Sequence, residues 1–278
     1  MKKKILTGIT IAVVILFVIY TVFIYCLVSA CLVPSFMEKL DAFEEITEKG
    51  YSEQVHTSDI SENRKEAIAQ TKEWLETAQG QKLRRQTNDG YELVATEFFA
   101  EENSHKWVLL LHGYTGWKEE MYPFAYWYHE QGYHVLVPDL RCQGESEGDF
   151  IGMGWTDSFD CAYTSAYDMF GDKITEWFGL PAFPFVDSAC LMLRLRGGYD
   201  LKDASAIDAV KKSATPTLFI HGEKDAMIDV SMSQELCEAA ACEKELLTVE
   251  GAGHAQSQDK APDEYYGSIA RFLADHGL

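Results

Sequence analysis

The sequence lacks the residue patterns of several common kinds of functional site. Its seven cysteines form no C-x-x-C pair, so neither a zinc site nor a disulfide scaffold can be read from their spacing. Basic residues number 24 against 44 acidic ones, and the formal net charge is −20. A surface this acidic repels nucleic acid and anionic lipid headgroups. We therefore expect no nucleic-acid partner, no metal and no cofactor.

Charge is missing from residues 5–37, which lie between Lys4 and Glu38. This stretch exceeds the roughly 20 apolar residues that cross a bilayer, and three lysines precede it. The positive-inside rule then places the N-terminus in the cytoplasm and the following domain outside the cell membrane. We predict a transmembrane anchor over residues 1–37, a juxtamembrane segment over 38–60 and one domain over 61–278.

Two alternatives to the anchor remain open. The segment could be a secretory signal that is cleaved, although its apolar core is longer than such signals usually have. Residues 28–31 (VSAC) also resemble a bacterial lipobox, in which Cys31 would become the lipidated N-terminus, although the long apolar run fits this less well. The anchor and the lipoprotein would both tether the domain to the membrane.

A strand, a turn and a helix are predicted in the middle of the chain. Five apolar residues run directly into His112 and Gly113 over residues 107–116 (WVLLLHGYTG), which is typical of a strand buried on both faces of a parallel sheet. Helical spacing follows over residues 121–128, and Gly132 ends it. A second buried strand is predicted over 134–138, and together these elements form a βαβ unit.

Further elements are predicted on both sides of this unit. Ser61 is the predicted N-cap of an amphipathic helix that ends near Gln79, with Gly80 as its C-cap. The Asn-Asp-Gly sequence at 88–90 predicts a hairpin at the antiparallel edge of a mixed sheet. Apolar patterns predict two more strands and two more helices: 217–220, 246–249, 230–241 and 263–275.

Four motifs follow one another along the chain: HGYTG at 112–116, GYHVLVPDLRCQGESEG at 132–148, HGEKD at 221–225 and GAGHA at 251–255. In this order they resemble the α/β-hydrolase superfamily, and the pattern is most similar to membrane-anchored bacterial serine hydrolases of the serine aminopeptidase-like group. The resemblance covers about residues 65–278. It implies a mostly parallel sheet flanked by helices, with a small helical lid at about 169–199 over an acyl pocket.

The resemblance also implies the chemistry. In this fold a Ser attacks an ester or amide, a His removes its proton, an Asp orients the His, and backbone N–H groups bind the oxyanion. Asp225, in the turn after strand 217–220, takes the position of the triad acid. His254, on the loop after strand 246–249, takes that of the base. The backbone N–H of Tyr114 is the implied oxyanion-hole donor.

A nucleophile is not found. The expression G-x-S-x-G matches once, at residues 144–148, and would make Ser146 the nucleophile. A nucleophile elbow is a tight turn between a strand and a helix, whereas here the strand has already ended at Pro138 and no amphipathic helix follows. The acidic residues around Ser146 would also oppose an alkoxide. We therefore interpret Ser146 as structural, and an active hydrolase that uses it remains an alternative.

The segment that should carry the elbow is missing. In the family, the elbow strand, two helices and a further strand separate a GWTD segment from a DCAYTS segment. Here these segments are residues 154–157 and 160–165, and they are nearly fused. The lost piece would be on the order of 40 to 60 residues, between one and two βαβ units, and would contain central strands 5 and 6 of the family's sheet.

Two classes of function remain. One is a serine hydrolase of a small acyl or peptide-like substrate, which the chain should be unable to perform without its elbow. The other is a non-catalytic descendant that binds a ligand, or an inert product of an internal deletion. We expect hydrolase ancestry with little or no activity. Because a buried strand cannot leave its backbone groups unpaired, three outcomes are open: residues 218–220 pair with 109–111, two chains pair across the gap, or the domain does not fold stably. If the chain has one compact structure, we expect the first.

Overall fold

The structure of the chain is a computed structural model that describes residues 2–33, 61–101, 103–151 and 166–278. The predicted juxtamembrane segment 38–60 and the nearly fused region 154–165 lie outside the described residues. The elements in chain order are α1 (Lys2–Leu32), α2 (Glu62–Thr77), β1 (Gln81–Gln86), β2 (Glu92–Phe98), β3 (Trp107–Leu109), a 3-10 helix (Lys118–Met121), α3 (Tyr122–Glu130), β4 (His134–Pro138), α4 (Ala166–Phe178), α5 (Ala182–Arg196), α6 (Ala206–Val210), β5 (Thr217–Gly222), α7 (Val230–Ala239), β6 (Lys244–Val249), α8 (Ser257–Lys260) and α9 (Pro262–Asp275).

The first sheet has the strand order β1-β2-β4-β3. β1 and β2 form the predicted antiparallel hairpin, β2 pairs antiparallel with β4, and β3 pairs parallel with β4. Phe98, Val135 and Val137 of this sheet are buried against Trp74 of α2 and Ala125 of α3. α2 and α3 therefore cover this sheet. The βαβ pattern predicts α3 in this position.

The second sheet is the parallel pair β5-β6. It runs from Thr217 opposite Lys244 to Gly222 opposite Val249. Phe219 of β5 is buried with Val210 of α6 and Leu236 of α7, so this pair has a small core of its own. Both strands extend past the predicted apolar runs, because the parallel ladder continues into the flanking polar residues.

The expected pairing of residues 109–111 with 218–220 is wrong. Among the described residues, β3 pairs with β4 alone and β5 pairs with β6 alone, so the sheet is split where the missing strands belong. β3 is also short, and Trp107 and Leu109 are 53% and 54% exposed. Alternate residues of a strand point to the same face, so Trp107 and Leu109 lie on one exposed face of β3. The prediction of a strand buried on both faces is wrong, because such burial requires an element packed over each face.

Helix side chains connect the two sheets. The ring of Trp127 on α3 stacks on Tyr266 of α9 with centroids 4.8 Å apart, and Phe124 approaches Tyr265 at 6.2 Å. α3 lies between β3 and β4 in the chain, and α9 follows β6. These ring contacts therefore join two groups of strands that share no backbone ladder in the described residues.

The start of α2 is as predicted, but its end is not. The Ser61 hydroxyl accepts a hydrogen bond from the N–H of Arg64, which is N-capping geometry. The helix ends at Ala78 in an extended conformation, so the prediction that Gly80 is its C-cap is wrong. Gly80 packs against β2 instead, since a Cβ there would lie 2.8 Å from the Phe98 ring.

Helix α1 contains the segment Leu6–Leu32, which is long and apolar enough to cross a membrane by length and composition. Side chains 6–19 are exposed, whereas Ile24, Val28 and Leu32 are buried. They pack against α5, in a cluster with Val186 and Leu193. We call α4 and α5 together the lid, since they lie in the region where the sequence predicts one.

Candidate catalytic site

The turn after β5 buries and orients the Asp225 carboxylate. Its Oδ1 accepts hydrogen bonds from the backbone N–H groups of Met227 (2.8 Å) and Ile228 (2.9 Å). The side chain is 5% exposed. Two backbone donors fix one carboxylate oxygen, so the second oxygen is presented to the side chains around it.

The loop after β6 brings His254 to that second oxygen. His254 Nδ1 lies 2.9 Å from Asp225 Oδ2, and the imidazole remains about one-third exposed at 34%. Because a carboxylate only accepts, Nδ1 carries the proton and Nε2 has the free lone pair. The two residues that the sequence assigns as acid and base therefore meet in the geometry that a general base requires.

A second imidazole also contacts Asp225, and sequence reasoning missed it. His221 Nε2 lies 3.3 Å from Asp225 Oδ2 and 3.0 Å from the Ile228 carbonyl oxygen. Its Nδ1 lies 2.5 Å from Ser233 Oγ on α7. The HGEKD motif contained the signal, since His221 and Asp225 flank the turn that ends β5. His221 is buried and holds the carboxylate in place from behind.

These contacts set the charge of the site. Burial of the Asp225 carboxyl opposes its ionisation, but hydrogen bonds from His221, His254 and the Ile228 N–H outweigh burial, so the pKa of Asp225 lies well below its usual value. The hydrogen bond to Asp225 raises the pKa of His221, although burial opposes this. Asp225 is thus an anion at neutral pH and can stabilise a positive charge on His254.

The turn after β3 is ordered by His112, which is fully buried. His112 Nε2 accepts a hydrogen bond from the Leu140 N–H (2.9 Å), and its Nδ1 lies 2.8 Å from the Gly113 carbonyl oxygen. Tyr114, the predicted oxyanion-hole residue, follows directly, and its phenol donates to the carbonyl oxygen of Cys31 at the end of α1. The oxyanion role of the Tyr114 N–H stays a prediction.

Ser146 lies in a buried loop and not on a nucleophile elbow. Its Oγ donates to the Asp139 carbonyl oxygen (2.7 Å) and accepts from the Val94 N–H (2.9 Å), and the residue is 7% exposed. These two bonds connect the loop after β4 to β2. The hydroxyl proton is already used by a backbone acceptor, which is the arrangement of a structural Ser.

A buried ion pair holds the rest of this loop. Lys118 is 2% exposed, and its Nζ lies 2.7 Å from Asp139 and 2.8 Å from Glu145. Burial would lower the pKa of Lys118, but Asp139, Glu145 and Glu119 together raise it. Lys118 and Lys82 lower the pKa of Glu145 to about 2. The acidic residues around Ser146 therefore serve the loop's own charge pairing.

No family model matches the chain. It is 31% identical over 114 residues to the uncharacterised protein YqkD of Bacillus subtilis (strain 168); the match spans 41% of this chain and 37% of that protein, so the chain covers about a third of that relative. An esterase of Pyrococcus furiosus superposes with a TM-score of 0.53 at 18% identity, over 72% of this chain and 92% of the esterase.

A second solved structure agrees with the esterase. DcsB, solved in complex with its substrate analogue, superposes with a TM-score of 0.50 at 15% identity, over 71% of this chain and 99% of DcsB. The superpositions cover nearly the whole of the esterase and of DcsB. The sheet of this chain, however, is split between β3 and β5 in the residues that the structure describes. These likenesses confirm the fold predicted from the motifs: the chain has the α/β-hydrolase fold.

Proposed function

We propose that this chain is a membrane-tethered descendant of a serine hydrolase that keeps the acid and the base of the triad and has little or no hydrolytic activity. The contrast between His254 and Ser146 carries the proposal. His254 is paired with Asp225 and partly exposed, as a general base should be. Ser146 is buried, with both its hydrogen bonds to backbone groups.

The surroundings of His254 support the absence of a nucleophile. Among the described residues, Asp225 is the hydrogen-bond partner of the imidazole, and no hydroxyl or thiol is bonded to Nε2. Without a Ser, the base can still polarise a water molecule, so we expect a low residual rate of hydrolysis. The ancestral reaction is hydrolysis of an ester or amide, and the ligand that fits such a site is a small acyl or peptide-like molecule.

The test uses the full chain in detergent micelles with a fluorophosphonate probe and p-nitrophenyl esters. We expect no stoichiometric labelling and very slow hydrolysis, and we expect His254→Ala to abolish the slow hydrolysis. An active serine hydrolase in the same micelles is the control for the probe. Stoichiometric labelling that Ser146→Ala removes would contradict the proposal and establish an active hydrolase that uses Ser146.

The tether proposed is an uncleaved α1 with its N-terminus in the cytoplasm. Its support is the packing of α1 on the lid, where Ile24 and Val28 are 2% and 3% exposed. Cleavage before Cys31, as in a lipoprotein, would remove both side chains from that cluster, at a cost of roughly 1.5–3 kcal/mol each. Mass spectrometry of the N-terminus decides the matter, because a diacylated Cys31 would contradict an uncleaved anchor.

A further inference from the structure

The lid exposes large apolar side chains that the core does not use. Four of them are 48%, 74%, 58% and 76% exposed: Phe178, Phe183, Leu191 and Leu195. All four belong to α4 and α5, and α5 packs against both α1 and α4. Soluble surfaces rarely expose so many large apolar side chains together, and such groups mark an interaction surface.

The contacts between α5 and α1 show that the two helices run in the same direction. The Tyr20 ring lies 5.8 Å from Phe185 near the start of α5, and the Tyr20 hydroxyl lies 2.8 Å from Ser188 Oγ. At the other end, Arg196 donates to Ser29 Oγ at 2.8 Å. The depth of a residue of α5 along the axis of α1 can therefore be read from the α1 residue beside it.

This correspondence places the start of α5 at the depth of the membrane. A helix rises about 1.5 Å per residue and the hydrocarbon core is about 30 Å thick, so a span that begins at Ile5 ends near residue 24. Tyr20 and Phe23 lie inside that span. The Phe185 ring lies 6.1 Å from Phe23, so the start of α5 lies inside it too.

The positions of the charged residues along α5 agree with this depth. Arg194 and Arg196 lie at its far end, where Arg196 also stacks over the Tyr25 ring at 4.2 Å, and this is the level of the headgroups. Asp187 lies nearer the start, but it accepts from the Tyr167 hydroxyl (3.0 Å) and pairs with Lys202 (2.9 Å). The start of α5 thus carries no unpaired charge among its described side chains, and its most exposed apolar residue there is Phe183.

We propose that the lid inserts the start of α5, with Phe183 at its tip, into the outer leaflet of the bilayer that α1 spans. The lid is then a second, shallow membrane contact beside the anchor, and it fixes the orientation of the domain on the membrane surface. This inference rests on the proposed anchor. The occupant of the surface around Phe183 is lipid, because the start of α5 lies beside the lipid-facing part of α1 at the same depth. Leu195 lies between Arg194 and Arg196, at the level of the headgroups.

The test places the photo-crosslinker p-benzoylphenylalanine at one position at a time in the full chain, reconstituted into phosphatidylcholine vesicles. The vesicles carry a tracer of phosphatidylcholine with an alkyne at the end of one acyl chain, so that crosslinked lipid is detected on a gel. Phe183 is the test position. Phe17, which is 68% exposed on α1, is the positive control for the anchor.

Phe99 is the matched negative control. It is 46% exposed and contacts Trp107 at the beginning of β3, whereas α1 contacts Tyr114 beyond the end of that strand. It is therefore an exposed Phe at the end of the first sheet opposite to the end that α1 contacts. We expect a lipid adduct at Phe183 comparable with that at Phe17, and an adduct at background level at Phe99.

Each other outcome overturns a defined statement. Capture of lipid at Phe17 without capture at Phe183 would overturn the insertion of the lid and leave the anchor standing. No capture at Phe17 would overturn the anchor, and the insertion of the lid with it. Capture at Phe99 as strong as that at Phe183 would overturn the lid as a specific membrane contact.

Discussion

His254 and Asp225 are joined by a 2.9 Å hydrogen bond between Nδ1 and Oδ2, although the segments that carry them belong to a parallel strand pair that has no hydrogen-bonded connection to β3 in the described residues. The pair therefore depends only on β5, β6 and the turns that follow them. The hydrogen bond between Asp225 and His254 can therefore form without any contact with β3.

Ser146→Ala should lower stability without lowering the residual ester hydrolysis. The change leaves the Val94 N–H and the Asp139 carbonyl without their buried partner, and each unsatisfied group costs about 1–3 kcal/mol. Denaturant unfolding of the full chain in detergent measures this. Gln234→Ala, at an exposed position on α7, is the control and should stay within about 0.5 kcal/mol of the parent. A catalytic Ser146 would show the reverse, with activity lost and stability kept.

Stability should fall on acidification through Asp225. Its folded pKa is depressed, so its contribution is fully present above its unfolded value of about 3.9 and is lost as the pH falls through the folded value. Asp225→Asn should therefore be less stable than the parent at neutral pH and should lose less on going to acid. Asp172→Asn, at an exposed position on α4, should keep the parental pH profile.

His221 should act in the opposite direction. Its folded pKa is raised by Asp225, so its contribution is fully present below the unfolded value of about 6.5 and is lost as the pH rises through the folded value. His221→Gln should flatten the dependence of the free energy of unfolding on pH around and above neutrality. An unchanged pH profile in this variant would contradict the ion pair with Asp225.

Gly144→Ala should destabilise the loop after β4 more than backbone strain alone explains. Gly144 has φ of +54°, and a Cβ there would lie 2.2 Å from Asp139 Oδ1. Gly179→Ala is the matched control, because Gly179 has φ of +64° and nothing within 4 Å of its Cβ position. The control should lose roughly 1–2 kcal/mol from the left-handed conformation alone. Thermal unfolding of both variants compares them, and equal losses would contradict the role of Asp139.

Deleting residues 1–37 should release the domain from the membrane and loosen the lid. The deletion removes Ile24, Val28 and Leu32 from the cluster on α5, and it removes the Ser29 partner of Arg196. Trypsin should then cleave after Arg194 and Arg196 faster than in the full chain. Phe17→Ala, on the exposed part of α1, should leave this cleavage unchanged. Equal cleavage in the parent and the truncated chain would show that α1 does not support the lid.

Local signals in the sequence predicted the elements that depend on neighbours close in the chain. Gly132 and Pro138 delimit β4, and Ser61 caps α2, because turns and caps are decided by one or two residues. The exposure of Trp107 could not be read in this way, since burial of a strand face depends on the element that packs over it, which can be distant in the chain. Sequence also could not separate the exposed and lid-facing sides of α1, because both consist of the same apolar residues.

Because β3 and β5 do not pair, the strand hydrogen bonds of the described residues form two separate ladders, one of four strands and one of two. Helix packing such as that of α3 on α9 connects them. Parts of a protein that are not joined by a common ladder can unfold locally with different free energies. Amide hydrogen exchange should therefore show two levels of protection, a higher one for the four strands around β4 and a lower one for β5 and β6. The half that carries Asp225 and His254 would then open first, while the hairpin of β1 and β2 stays closed.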